Sequence, residues 1–189
     1  MADWDRVYQD KTVEKSTPAQ VLLDNQHLLP SRGKALDYAS GLSGNGVFLA
    51  QQGLDVTAWD LSGIAVDKIN TYSKKNKLSL FAQEIDLEKN SQELQGEFDI
   101  VVVSFFLHRE SLPVLYNLLK PSGLLFYQTF CGKQVNGLGP SRSSFRLRKG
   151  ELLEVFSNMR LLSYREDCDL PDNDNDNVIS DQVFFVAQK

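Results

Sequence analysis

Two acids, Asp37 and Asp60, bracket a run of small residues, Ala39-Ser40-Gly41-Leu42-Ser43-Gly44-Asn45-Gly46. Small side chains let a loop backbone come within hydrogen-bond reach of a ligand, and a helix opening there aims its free N–H groups at the same place. Gly41 is the close-approach glycine, with Ala39 and Ser40 before it and Asn45 opening the helix. Asp60 lies roughly 20 residues on, where a carboxylate accepts hydrogen bonds from both hydroxyls of a ribose. Leu61 follows it and offers an apolar face to a purine. A third acid, Asp86, beside Leu87, follows the next apolar run and suits a purine amino group. Residues of these types in this order bind a nucleotide-like cofactor by its backbone-facing side.

Other groups could act on a second substrate. Ser104 ends a long apolar run, and His108 just beyond it is a candidate general base. Cys131 is a candidate thiol, although a partly buried bystander is the ordinary role for a lone cysteine. Arg142 and Arg146 could hold an anion. Tyr8, with Trp4, could fold over the cofactor as a lid. Two histidines and two cysteines scattered along the chain make no metal site.

These groups need a scaffold that brings them to one rim. Thr17-Pro18 starts a helix carrying Val21, Leu22, Leu28 and Leu29, which Pro30-Ser31-Arg32-Gly33 ends. Apolar runs at 34–38, 54–59, 78–83 and 98–107 read as strands, alternating with helices at 44–52, from Ser62 as N-cap to Asn76, and around Leu112, Leu115 and Leu119. The run 98–107 is nearly unbroken, as suits a central strand buried on both faces. Lys120-Pro121-Ser122-Gly123 breaks a helix before a strand at 124–130. Residues 131–144 form a loop, 149–157 a helix, and 159–167 with 178–187 a closing antiparallel pair around an acidic, solvated loop. Alternating strands and helices imply an α/β fold with a mainly parallel sheet. The 189 residues suffice for one domain, with residues 1–30 an arm and helix over the cofactor side.

Composition narrows the partners. The net charge of −5 disfavours a nucleic-acid binder. No apolar run spans a bilayer and no leader precedes the first strand, so a cytoplasmic protein without a membrane partner is expected. Two cysteines make no disulfide framework, which also fits a reducing compartment. Nothing in the sequence sets the oligomeric state.

Two cofactors fit the loop. Ala39, Gly41 and Gly44 with Asp60 form a degenerate dinucleotide fingerprint. Asp37, however, would repel a pyrophosphate and would favour the ammonium and sulfonium of S-adenosyl-L-methionine. The stretches LDYASGLSGNGVFLAQQGLDVTAWDLS, FDIVVVSFFLHR, LLKPSGLLFYQTF and FRLRKGELLEVF resemble the class I S-adenosylmethionine-dependent methyltransferases of the bacterial tellurite-resistance type. The resemblance implies a single-domain Rossmann-like fold, seven strands in the order 3-2-1-4-5-7-6 with strand seven antiparallel, and methyl transfer to a small-molecule acceptor such as a thiol or chalcogen oxyanion. It departs from the family's Gly-x-Gly-x-Gly at Ala39 and Ser43, which is compatible with a cradle if neither position needs a positive φ. The family's basic and histidine residues near the last hairpin are absent from Leu170–Asn177, which holds aspartates instead. A non-catalytic cofactor-binding module and a nicotinamide-dependent oxidoreductase are the alternatives.

Overall fold

The apolar runs become the strands of one seven-stranded sheet, ordered β3-β2-β1-β4-β5-β7-β6. In the computed structural model, which describes residues 3–134, 137–168 and 181–189, these are β1 (Lys34–Tyr38), β2 (Asp55–Asp60), β3 (Leu80–Glu84), β4 (Phe98–Ser104), β5 (Leu119–Phe130), β6 (Arg160–Glu166) and β7 (Gln182–Gln188). Strands β1 to β5 run parallel, and β7 is antiparallel to both its neighbours. The expected strand order and the reversed last strand are both present.

Side chains alternate across the sheet, so two cores form. Leu36, Tyr38, Val101, Val103, Leu125, Tyr127 and Phe185 face α5 (Leu112–Leu118) and α6 (Glu151–Val155). Ala35, Ala58, Ile100, Val102, Phe126 and Val186 face α2 (Gln20–Asp24), α3 (Gly44–Gln51) and α4 (Gly63–Asn76). Central β4 is buried at Ile100 to Val103, as its continuous apolar run requires. Ser62 caps α4 through its Oγ, which accepts from Ala65 N at 3.1 Å.

Three local expectations are corrected. The helix predicted from Thr17 to Leu29 is only α2 plus a 3-10 turn at Gln26–Leu28. Asn25 Nδ2 bonds Val21 O at 2.9 Å, taking the carbonyl that would have carried the helix onward. The segment Lys120–Gly123 lies inside β5, where pairing with β4 slips between Phe98 and Ile100. Cys131 and Cys168 form a disulfide, against the expectation of none, because β7 pairs with both β5 and β6 and their Cα atoms come to 5.5 Å. Their sequence separation of 37 residues hid the pairing. The acidic stretch Leu170–Asn177 lies outside the described residues.

Candidate active site

The loop after β1 bends three times through the left-handed region, with φ of +55° at Ala39, +54° at Gly41 and +55° at Ser43. Both positions where glycine is replaced therefore do need a positive φ, contrary to the condition stated above. A non-glycine residue there costs about 1–2 kcal/mol, and Asp37 supplies the compensation. Its Oδ2 accepts from Ser43 Oγ at 2.8 Å and Gly46 N at 3.0 Å, and its Oδ1 from Asn45 Nδ2 at 3.1 Å. Burial pushes the Asp37 carboxyl up to about 7, against the hydrogen bonds from Ser43, Asn45 and Gly46 and with nearby Asp60 adding to the rise. Asp37 is fully buried beneath the loop and does not line the cavity, so it does not meet a ligand ammonium directly.

The carboxyl ends of β1 to β5 open onto a cavity of about 1110 Å³. Ala39, Ser40, Gly41, Asn45, Asp60, Leu61, Asp86, Leu87, Ser104 and Tyr8 all line it, so these expected cofactor residues come together. Asp60 Oδ2 accepts from Gly41 N at 2.7 Å and Oδ1 from Ser62 N at 2.9 Å, which ties the loop to the end of β2. Each oxygen keeps a lone pair for a further donor. Burial raises the Asp60 pKa, against backbone hydrogen bonds from Ser62, Gly41 and Leu61. Asp86 caps its own turn, accepting from Lys89 N at 3.1 Å and Glu88 N at 3.2 Å, and the Lys89 N–H leads in holding its carboxyl low.

A strap of residues before β1 crosses the mouth. It begins with α1 (Trp4–Tyr8), where Asp5 Oδ1 accepts from Ser62 Oγ at 2.6 Å and Ile64 N at 3.2 Å. Lys68 Nζ donates to Tyr8 O, Gln9 O and Lys11 O at 2.8, 2.6 and 2.7 Å. Farther on, Asn45 Oδ1 accepts from Ala19 N at 2.8 Å and Gln128 Oε1 from Val21 N at 2.9 Å. Tyr8 lies over Gly41, where an added Cβ would come within 2.8 Å of its hydroxyl. Burial, then Asp60 and Asp37, pushes that hydroxyl up to about 12, so it stays a neutral donor. Sequence reading missed Asp5 and Lys68, because a polar residue that grips a backbone carries no motif; it placed Gln128 at the rim at the end of the fifth strand, without its bond to the strap.

The other side of the cavity is aromatic, with Phe105 and Phe130 at the ends of β4 and β5. His108, expected as a general base, does not line it. Its Nδ1 sits 3.2 Å from Ser111 Oγ, at the turn that opens α5. Arg146 does not face an anion either. It is 2% exposed, pairs with Asp181 at 3.1 Å, and donates to the carbonyls of Cys131, Gly132, Leu138, Pro140 and Lys133. Arg142 is exposed and outside the lining, and Cys131 is buried in its disulfide. No group of three or more His, Cys, Asp or Glu that could hold a metal exists among the described residues.

The lining fits an adenosyl amino acid. Ser40 Oγ is buried with no partner among the described residues, and a ligand at this wall would supply one. Gly41 keeps the wall open where any Cβ would close it onto Tyr8.

Residues 3–182 match the family described as "Tellurite resistance protein TehB". The chain is 27% identical over 139 residues to a probable S-adenosyl-L-methionine-dependent methyltransferase TehB of Haemophilus influenzae, covering 70% of this chain and 48% of that one. It thus spans about half the length of the curated relatives it matches. Its fold is that of the crystal structure of TehB from Haemophilus influenzae, with a TM-score of 0.73 at 21% identity, covering 98% of this chain and 67% of that one. A TehB-like SAM-dependent methyltransferase from Corynebacterium glutamicum is similar at a TM-score of 0.67 and 19% identity, over 99% and 96% of the two chains.

Proposed function

This chain belongs to the TehB family, and we propose that it is a methyltransferase that moves a methyl group from S-adenosyl-L-methionine to a small-molecule acceptor, a thiol or chalcogen oxyanion. The observation that carries the reading is the meeting, on one cavity wall, of Asp60, the left-handed loop at 39–43 and a Ser40 Oγ that has no partner among the described residues. Asp60 takes the ribose hydroxyls, and Leu61, Leu87 and Asp86 take the adenine. Ser40 and the Gly41 backbone take the methionine end, with Asn45 and Ser104 behind them and Tyr8 above. The cofactor, when bound, supplies an activated methyl group. The protein's own contribution is position and the exclusion of water by the strap. No helix among the described residues is long and apolar enough to cross a membrane. The cytosol is the compartment we assign to the activity, and Cys131 and Cys168 would meet reductant there.

Asp60→Ala should weaken binding of S-adenosylhomocysteine by on the order of 2 kcal/mol, about 30-fold, in calorimetric titration. Unchanged affinity rejects the ribose assignment. The nicotinamide alternative is disfavoured by Asp37, an acid beneath the turn where a pyrophosphate would sit. NADH binding in the same experiment would restore it. A binding module without catalysis would titrate normally and turn over no acceptor.

A further inference from the structure

Phe105 stands at the carboxyl end of central β4 with φ of +54°, a conformation bulky side chains rarely adopt. Its N–H is fixed on Gln128 O at 2.8 Å, so the backbone is held while the ring is 53% exposed. The ring packs on Phe130 with centroids 5.3 Å apart. Phe145, 48% exposed, lines the same cavity with Pro140. Its chain is pinned on both sides by Arg109, which donates to Ser144 O at 2.6 Å and Arg146 O at 2.9 Å. Arg109 is itself clamped by both carboxylate oxygens of Glu151. Exposed rings on a rigid frame leave apolar area in water that a ligand would cover.

The strand order places this wall. Adenosine contacts at Asp60 and Asp86 lie at the β2–β3 side, the methionine loop follows β1, and the rings stand beyond it at β4 and β5. From Ser104 to Leu107 and from Gln128 to Phe130, with Pro140 and Phe145, this half of the described lining holds no titratable side chain. Acids and lysines of the lining sit on the β2–β3 side or on the strap, where Lys11 lies over the Tyr8 ring at 5.6 Å. An alcohol or an ammonium acceptor needs a base to uncover its lone pair. A thiol whose pKa is near or below about 8.5 is substantially thiolate without help. Sulfur also packs favourably against aromatic rings.

We infer that the β4–β5 half of the cavity is a slot for an apolar, aryl-type thiol, whose deprotonated sulfur is the methyl acceptor. This rests on the methyltransferase reading above. The thiol loses its proton to water before it binds. Its sulfur lone pair forms the new bond to the methyl carbon as the methyl–sulfonium bond breaks. That bond's electron pair stays on the departing sulfur, which becomes the neutral thioether of S-adenosylhomocysteine, and no oxidant or reductant is consumed.

The test uses the full chain with methyl-labelled S-adenosylmethionine and three acceptors: benzenethiol, 4-mercaptobenzoate and selenite. The two thiols share a reacting atom and differ in a charge at the far end. Benzenethiol should exceed 4-mercaptobenzoate in kcat/KM by about tenfold or more. Phe105→Ala and, as a second variant, Phe145→Ala should shrink that preference to about threefold or less, chiefly through KM. Equal use of the two thiols, or selenite methylated ahead of both, overturns the slot. Calorimetric titration with S-adenosylhomocysteine separates the failures. If it binds and no thiol is methylated, the acceptor assignment alone falls. If it does not bind, the methyltransferase reading falls and takes the slot with it.

Discussion

At the scale of single residues, Asp37 makes the stability of the ligand-free protein depend on pH. Its carboxyl stands at about 7 in the fold against an ordinary 3.8 in the open chain. A raised carboxyl contributes stability that is fully present below the unfolded value and is lost as pH climbs through the folded one. The loss is on the order of 4 kcal/mol, and Asp60 shifts the same way. Asp99 and Glu151, despite the opposing push of burial, are held low by Lys120 and Arg109, so they act only at more acidic pH. Thermal melts should therefore show a midpoint that falls between about pH 4 and 7 and levels off above that. Asp37→Asn should flatten that slope at a lower overall stability, because its amide would face the Asn45 amide donor. The position of Asp37 was legible in the sequence as an acid ending an apolar run. Its orientation was not: the sequence cannot show that Ser43, Asn45 and Gly46 turn back to enclose it. The same closure forces Ala39 and Ser43 into positive φ, a property of the folded loop that residue type alone does not reveal.

At the scale of elements, the start of α3 carries the tightest fit. An added Cβ at Gly44 would overlap the backbone carbonyl of Thr17, where the strap crosses the helix. Alanine gains about 1 kcal/mol of helix propensity over glycine, yet overlap with a fixed backbone costs about 1–3 kcal/mol. Gly44→Ala should thus lower the melting temperature and weaken S-adenosylhomocysteine binding together, as melts and titration would report. Elements with strong local signals were legible: central β4 from its unbroken apolar run, α4 from Ser62, and the closing antiparallel pair from its short connection. Elements decided by distant partners were not. Asn25 shortens α2 through one side-chain bond, and β5 begins early because Phe98 pairs with Leu119.

At the scale of the whole molecule, alternation of strands and helices gave the fold class, while the strand order was legible only through family resemblance. Order is set by which way each crossover turns, and local periodicity does not encode it. The acceptor half was the least legible part. Arg146 reads in sequence as a free cation, but the fold buries it on Asp181. The strap is held at one end by Lys68 and Asp5 and at the other by buried amides. Lys68→Ala should leave the sheet folded, keep circular dichroism unchanged, and raise the dissociation rate of S-adenosylhomocysteine by about tenfold, read by stopped-flow fluorescence of Trp4. One ammonium thus clasps three peptide oxygens of the strap beside the cavity that reaches Gly41. A product held behind that clasp would leave only as it opens, and turnover should then fall as solvent viscosity rises.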